Sequence, residues 1–325
     1  MIFHTASEYG QQARDLFHRS AMSKRLMLIH AAVAQGSILL IYFIGFLLDL
    51  WIANTGGLSG MGLRTFLSTV QSTGESLVMI ALPFWQASLF FMALRWARNR
   101  YTESGHLLQG FRRFGSVLSY QLLYGLVFCV LGFAVLYLSS AIFVMTPFST
   151  PILDEIAPIF DPSSTTEQIE AVLSPERMDT ITNAMIPFFI FSGIAFIIIS
   201  IPVFYRLRLG QFAVMDNFRG RSALLSSFRA TRKNWLPILK LDLHFWWYYA
   251  LQLVCLLIAN GNWLLPWLGI SLPMGEDAAF FLFFGLGTVL QILILWQFQG
   301  QVITSHALLY ETYFPAPAEL PLVQE

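Results

Sequence analysis

Residues 219–249 read RGRSALLSSFRATRKNWLPILKLDLHFWWYY, a basic amphipathic stretch joined to an apolar one. Leu224, Leu225, Phe228 and Trp235 recur near the helical period, while Arg229, Arg232 and Lys233 lie off that stripe. A helix of this kind lies in the headgroup plane, apolar side down. Pro237 suits the first turn of a second helix, where its missing N–H costs no hydrogen bond. That helix begins with Lys240, Asp242 and His244 and turns apolar through Ile258, as a membrane span does.

Weaker versions of the same join occur twice upstream. DLFHRSAMSKRLMLI from Asp15 and LLQGFRRFGSVLSYQLL from Leu107 align with LLSSFRATRKNWLPILKL from Leu224. Phe17, Phe111 and Phe228 then coincide, each with an Arg within two positions. Two readings stand: a threefold hairpin repeat about an axis along the membrane normal, or convergence among basic helices that happen to precede spans.

Composition sets the class. Hydrophobic residues make up 56% of the 325 and charged residues 12%, with a mean hydropathy of +0.62. A soluble domain carries about twice that charged fraction. Cys129 and Cys255 fall inside apolar runs and read as small hydrophobes, not as a disulfide or a metal pair. The first apolar run starts at Leu26 and is long enough to span, so it reads as an uncleaved helix.

The sequence therefore predicts an all-α polytopic membrane protein. It has six transmembrane helices and three basic amphipathic interfacial helices. Residues 1–25 form an amphipathic N-terminal segment, with Tyr9, Ala13, Leu16 and Phe17 on one face. The six-helix domain covers 26–314, and 315–325 form a loose tail with three prolines. The expected spans are 26–51, 75–97, 115–145, 181–207, 240–258 and 278–314, and 208–236 is the third amphipathic segment. Residues 52–74 are rich in Gly, Ser and Thr and read as a loop, with room for a short helix near Leu63–Val70. The last span is too long for a hydrocarbon core of about 30 Å, so it projects or breaks near Gly300. Residues 146–180 form an acidic loop broken by prolines, with a short capped helix from Ser163. Its carboxylates match no calcium-loop spacing and read as a solvated face.

Charge sets the topology. Formal net charge is zero, yet 17 of the 19 Lys and Arg fall on the side of the termini, with only Arg64 and Arg177 opposite. Acidic residues divide as 8 and 11, which makes the terminal side +9 and the other −9. Basic residues bias loops toward the cytoplasm, so both termini are expected there. Anionic headgroups on that face are the expected partner, beside an unidentified protein partner, and nucleic acid is not expected.

No chemistry-bearing motif survives inspection. There is no Walker A loop, H-E-x-x-H, G-x-S-x-G or CxxC pair. No histidine pairs with another ligand at metal spacing, so no catalysis, cofactor or metal is expected. Two groups of residues remain as candidate sites. Arg112, Arg113, Arg229, Arg232 and Lys233 could grip lipid phosphate, or simply snorkel. His30, Asp242, His244, Gln297, Gln299, Gln301 and His306 lie near the inner ends of their spans. If they converge, they form a polar pocket facing the cytoplasm and suited to a small-molecule or lipid transporter. The competing account is ordinary interhelical hydrogen bonding.

LSSFRATRKNWLPILKLDLHFWWYYAL, from Leu225 to Leu251, resembles the bacterial integral-membrane family called Domain of Unknown Function 975. Leu241-Asp242-Leu243-His244-Phe245 takes the place of that family's leucine-rich motif, with His where the family often has Ser. ITSHALLYETYF from Ile303 resembles its closing Tyr motif, and ARDLF from Ala13 its opening helix. More distantly, the pattern looks like membrane domains found beside glycerophosphodiester phosphodiesterases, without the catalytic domain. The resemblance implies a fold and a membrane address. It implies no activity and carries over no functional residues.

Overall fold

The structure is a computed structural model that describes residues 4–55, 59–150, 165, 175–270 and 275–315. Every regular element among them is helical. In chain order these are α1 (Ala6–His18), α2 (Ala21–Thr55), α3 (Ser59–Ala97), a 3₁₀ turn (Ser104–Leu108), α4 (Gln109–Arg112), α5 (Phe114–Val144), a second 3₁₀ turn (Pro147–Ser149), α6 (Pro175–Leu207), α7 (Gly210–Met215), α8 (Gly220–Thr231), α9 (Leu236–His244), α10 (Trp246–Ala259), α11 (Gly261–Trp267), α12 (Glu276–Ile294), a π-helical turn (Leu295–Gln299) and α13 (Gly300–Tyr313). The chain forms two compact units: Met1–Gln121 with Leu207–Glu325, and Leu122–Arg206.

Among the described residues five helical stretches are long and apolar enough to cross a membrane: Ala21–Leu48, Ser68–Ala97, Phe114–Val144, Met185–Met215 and Ala278–Tyr313. The sixth, α9 with α10, is bent by 61° at Phe245. The two ends of this bent pair meet the last helix at well-separated levels. At one end Tyr313 Oη donates to the Asn234 carbonyl. At the other, Gly287 lies against Ala259. From Tyr313 back to Gly287 the last helix rises about 39 Å at about 1.5 Å per residue, more than a hydrocarbon core of about 30 Å. The first and last described helices meet side by side, where Tyr9 Oη and Thr312 Oγ1 stand 2.9 Å apart.

The unit Leu122–Arg206 is an antiparallel helix pair. Gly132 lies against Phe196, and the rings of Phe143 and Phe188 are 5.3 Å apart. Its outer surface is apolar and open, with Phe133 74% and Tyr137 75% exposed. Only 11% of the most apolar window is buried in the first, third and fourth spans. Such surface is satisfied by lipid tails, which are as apolar as leucine, so helix packing there gains little from the hydrophobic effect.

The dense core of the larger unit gathers instead at the end that carries both termini. Ala13, Phe17, Met27, Met92, Ala93, Leu209, Phe212, Ala223, Ile238, Leu241, Ala307, Leu309 and Tyr310 are all sealed there. The last apolar stretch, 36 residues long, measures about 54 Å at about 1.5 Å per residue and so projects beyond the hydrocarbon. Its final portion, α13, is the buried centre of this layer. The helix does not break at Gly300. It relaxes into the π turn just before it, and Gly300 has no side chain because the ring of Phe17 occupies that space.

The helix α1 ends at His18, so residues 21–25 belong to the first span. Its predicted apolar face is covered by protein: Tyr9, Ala13 and Phe17 are buried, and α1 packs on α13 and α9. The expected loop at 52–74 is mostly helix, because α3 begins at Ser59. The hydroxyls that made this region look loop-like bond back into their own helix: Thr69 to the Thr65 carbonyl at 2.8 Å, Thr73 to Thr69 at 2.7 Å and Ser76 to Ser72 at 2.8 Å. Pro83, Pro187 and Pro202 all lie inside unbroken helices. The capped helix expected from Ser163, the acidic loop from Pro151 and the tail from Ala316 lie outside the described residues, apart from Thr165.

The repeat has a structural counterpart. Each short helix packs on the end of a return span: α4 on α3, α8 on α7 and α1 on α13, so the pairing runs cyclically. The first two return spans are each followed by an asparagine in the left-handed region, Asn99 (φ 53°) and Asn217 (φ 73°). Arg19 donates to the Asn99 Oδ1 at 3.4 Å, and Arg113 to the Asn217 Oδ1 at 2.6 Å. These two arginines occupy matching positions after Phe17 and Phe111.

Close backbone approach holds α4 to α3. The Gly110 N–H donates to Ser88 Oγ at 2.8 Å, and a Cβ on Gly110 would stand 1.9 Å from the Phe84 carbonyl oxygen. Gly110→Ala is therefore expected to destabilise the detergent-solubilised protein by roughly 1–3 kcal/mol, the usual cost of overpacking. Gly115→Ala, whose Cβ meets nothing within 4 Å, serves as the control. Thermal unfolding that treats the two variants alike would contradict this packing.

Candidate functional site

Two ionic clusters sit in the terminal-side core. In the first, Arg98 just past α3 forks onto Asp216 with bonds of 2.7 and 2.8 Å, and its Nε donates to Glu311 at 2.8 Å. Tyr310 Oη donates to the same Asp216 at 3.2 Å. The three charged groups come from the ends of the second, fourth and sixth spans. Hydrogen bonding to Asp216 raises the Arg98 pKa well above its ordinary value, with burial opposing and Glu311 adding to the rise.

The second cluster centres on Asp242 of α9. Its Oδ1 accepts from Tyr249 Oη at 2.7 Å and lies 3.0 Å from His306 Nε2, while its Oδ2 accepts from Arg208. Arg208 also reaches Tyr249 Oη at 3.2 Å. The other ring nitrogen of His306 is 2.8 Å from the Val302 carbonyl. His306 and Asp242 are both buried. Every oxygen of this carboxylate thus has a protein donor, which is how a buried charge is kept at tolerable cost.

The predicted polar pocket is gathered only in part. Asp242 and His306 meet. Gln301 instead donates to the Gly10 carbonyl of α1 at 3.3 Å, and His244 lies beside that glycine and edge-on to Phe245. His30 belongs to the α2–α3 contact: its Nε2 is 3.2 Å from the Trp85 carbonyl, its carbonyl accepts from the Trp85 indole at 3.1 Å, and the two rings stack. Gln297 faces outward and Gln299 is partly buried in the π turn. Three of the seven, namely His244, Gln301 and His306, face α1 or the Asp242 cluster as helix-to-helix contacts. Arg208 and Tyr249 were missed by sequence reading. Tyr249 stands seven residues after Asp242, a two-turn spacing that a straight helix would have flagged, whereas nothing in the sequence brings Arg208 to either.

The predicted lipid contacts also divide. Arg113 is spent on the chain itself: Nη1 donates to the carbonyls of Val214 at 3.0 Å and Met215 at 2.7 Å, capping α7, and Nη2 donates to Asn217. Burial pushes its pKa down, with the charge of Asp216 opposing. Arg112, Arg229, Arg232 and Lys233 are exposed, with no ion-pair partner among the described residues. The helix α8 turns its small side inward, burying Gly220, Ala223, Ser227 and Thr231. Its large apolar groups Leu225 (40%) and Phe228 (37%) stay exposed beside those cations. Among the described residues no three of His, Cys, Asp and Glu converge as metal ligands.

No family model, no curated protein and no solved structure matches this chain. The helices themselves identify a membrane protein of the all-α polytopic class.

Replacing Asp242 by Asn leaves Arg208 and His306 facing a neutral amide in a buried setting. We expect a loss of roughly 3–5 kcal/mol, as when one partner of a buried ion pair is removed. Chemical denaturation of the purified protein checks this, and an unchanged midpoint would show that the cluster is not sealed.

Proposed function

We propose that this protein is a non-catalytic component of the bacterial plasma membrane, with both termini cytoplasmic and its basic rim docked on anionic headgroups. One observation carries the reading: α8 spends its small residues on the protein and leaves Leu225 and Phe228 exposed beside Arg221, Arg229, Arg232 and Lys233. Apolar side chains flanked by cations are what an anionic interface rewards, through buried area and headgroup attraction together. The concentration of Lys and Arg on the terminal side supports the cytoplasmic assignment. The resemblance of Leu225–Leu251 to Domain of Unknown Function 975 agrees with a membrane address and adds no activity.

A transporter is the second reading. The bend at Phe245, the π turn before Gly300 and the buried Asp242–His306 contact lie close in the fold, and broken helices and π turns accompany membrane transport sites. A solute bound at Asp242 would have to displace Arg208 or Tyr249, which already fill its oxygens. That requirement favours docking over transport.

In flotation with vesicles of neutral and anionic lipid, the triple variant Arg229→Glu, Arg232→Glu, Lys233→Glu, reconstituted in nanodiscs, should lose most of its recruitment of anionic vesicles. Each cation near an anionic surface is worth about 1 kcal/mol. Equal flotation of variant and parent would reject the docking reading.

A further inference from the structure

We propose that the groove at the corner of α4, α5 and α8 is a discrete seat for a phosphate monoester, gripped by Arg112 and Arg219 beside the fixed guanidinium of Arg113. This deepens the docking reading, on which it rests only for where the phosphate comes from. The groove has a volume of about 540 Å³, and Gly115, Ser116 and Ser119 complete its lining. No acidic side chain lines it.

Its construction is rigid. The start of α8 is pressed onto the first turns of α5, since a Cβ on Gly220 would stand 2.0 Å from Ser119 Oγ and 2.6 Å from the Tyr120 amide nitrogen. That contact carries Arg219, the residue before α8, to the Arg112–Arg113 corner. Arg113 is held by three bonds to Val214, Met215 and Asn217, so its rotamer is fixed before any ligand arrives. These hydrogen-bond partners are neutral, and the charge of nearby Asp216 acts on the same guanidinium. Asp216, the acid nearest in sequence, is forked by Arg98. Guanidinium groups present planar donors suited to phosphate oxygens. A monoester, which carries about −1.5 to −2 at neutral pH, matches the two exposed guanidiniums of Arg112 and Arg219 better than a singly charged diester.

A second concavity, of about 220 Å³, occurs at the matching place in the first repeat. Arg19, Ser20, Ser23, Asn99 and Arg100 contribute to it, and its Arg19–Asn99 bond corresponds to Arg113–Asn217. A basic hollow beside the start of an outgoing span is thus a property of the repeat. The second-repeat hollow is the larger and holds the three arginines.

Two variants test the seat on the full chain. Gly115→Phe fills the groove and keeps every charge, and the Cβ position is open. The double variant Arg112→Gln, Arg219→Gln removes charge and leaves α8 beyond its first residue untouched. Binding is measured by titration with inorganic phosphate in neutral detergent, and by native mass spectrometry from nanodiscs of phosphatidylcholine with or without phosphatidic acid. We expect one high-affinity phosphate per chain, weakened about tenfold or more in both variants, in line with losing a charge-assisted bond. Binding of inorganic phosphate points to a soluble source, and binding of phosphatidic acid alone to a lipid source. No saturable binding of either probe, or unchanged affinity in Gly115→Phe, overturns the seat. The charge-reversed α8 variant separates the two ideas: it should lose vesicle recruitment and keep the seat.

Discussion

The guanidinium of Arg98 is the tie on which the terminal-side layer depends. It joins the ends of three spans that lie 118 and 213 residues apart in the chain by bonding Asp216 and Glu311 at once. Lipid gives helices little reason to choose one neighbour over another, because their apolar surfaces are satisfied wherever they meet tails. A fork with two carboxylates does discriminate, since each wrong arrangement leaves a half-buried charge without a partner. The rings of Phe212, Tyr310 and Phe314 stack, and the Tyr310 hydroxyl reaches Asp216 of the same junction.

From this tie follows an unusual division of labour. In a soluble bundle the hydrophobic effect seals the middle, and the ends fray. Here most of the first, third and fourth spans is unburied, and the sealed core gathers around α13, α1, α9 and α7, where Phe17, Ala307 and Leu309 are buried. Short helices beside a membrane are often taken to rest on it. In this chain α1 gives its apolar face to protein, whereas α8 gives its small-residue face and leaves Leu225 and Phe228 exposed beside Arg229, Arg232 and Lys233.

The repeat and the charge clusters are two views of one arrangement. Matching arginines after Phe17 and Phe111 each hold a left-handed asparagine, so the loop that follows each return span is pinned to the start of the outgoing one. The next positions toward the spans, Arg98 and Asp216, have opposite charges and meet each other. Equivalent places thus hold complementary partners, and Glu311 at the end of the last helix joins the same point. The Asp242 cluster, by contrast, belongs to the third repeat's bent helix and has no counterpart at Phe111 or Phe17.

Apolar run length was enough to determine the all-helical membrane class and the five or six helices able to span a bilayer. Those properties depend on transfer free energies summed over about 20 residues, which any arrangement of the helices must respect. The fate of individual polar groups was decided only by tertiary structure. His30 and His306 look alike in sequence, yet one stacks on Trp85 and the other meets Asp242. Arg112 and Arg113 are adjacent, yet one faces solvent and the other caps α7. Hydrogen bonds act over about 3 Å and depend on direction, so the partner of a side chain is set by packing that local sequence does not encode.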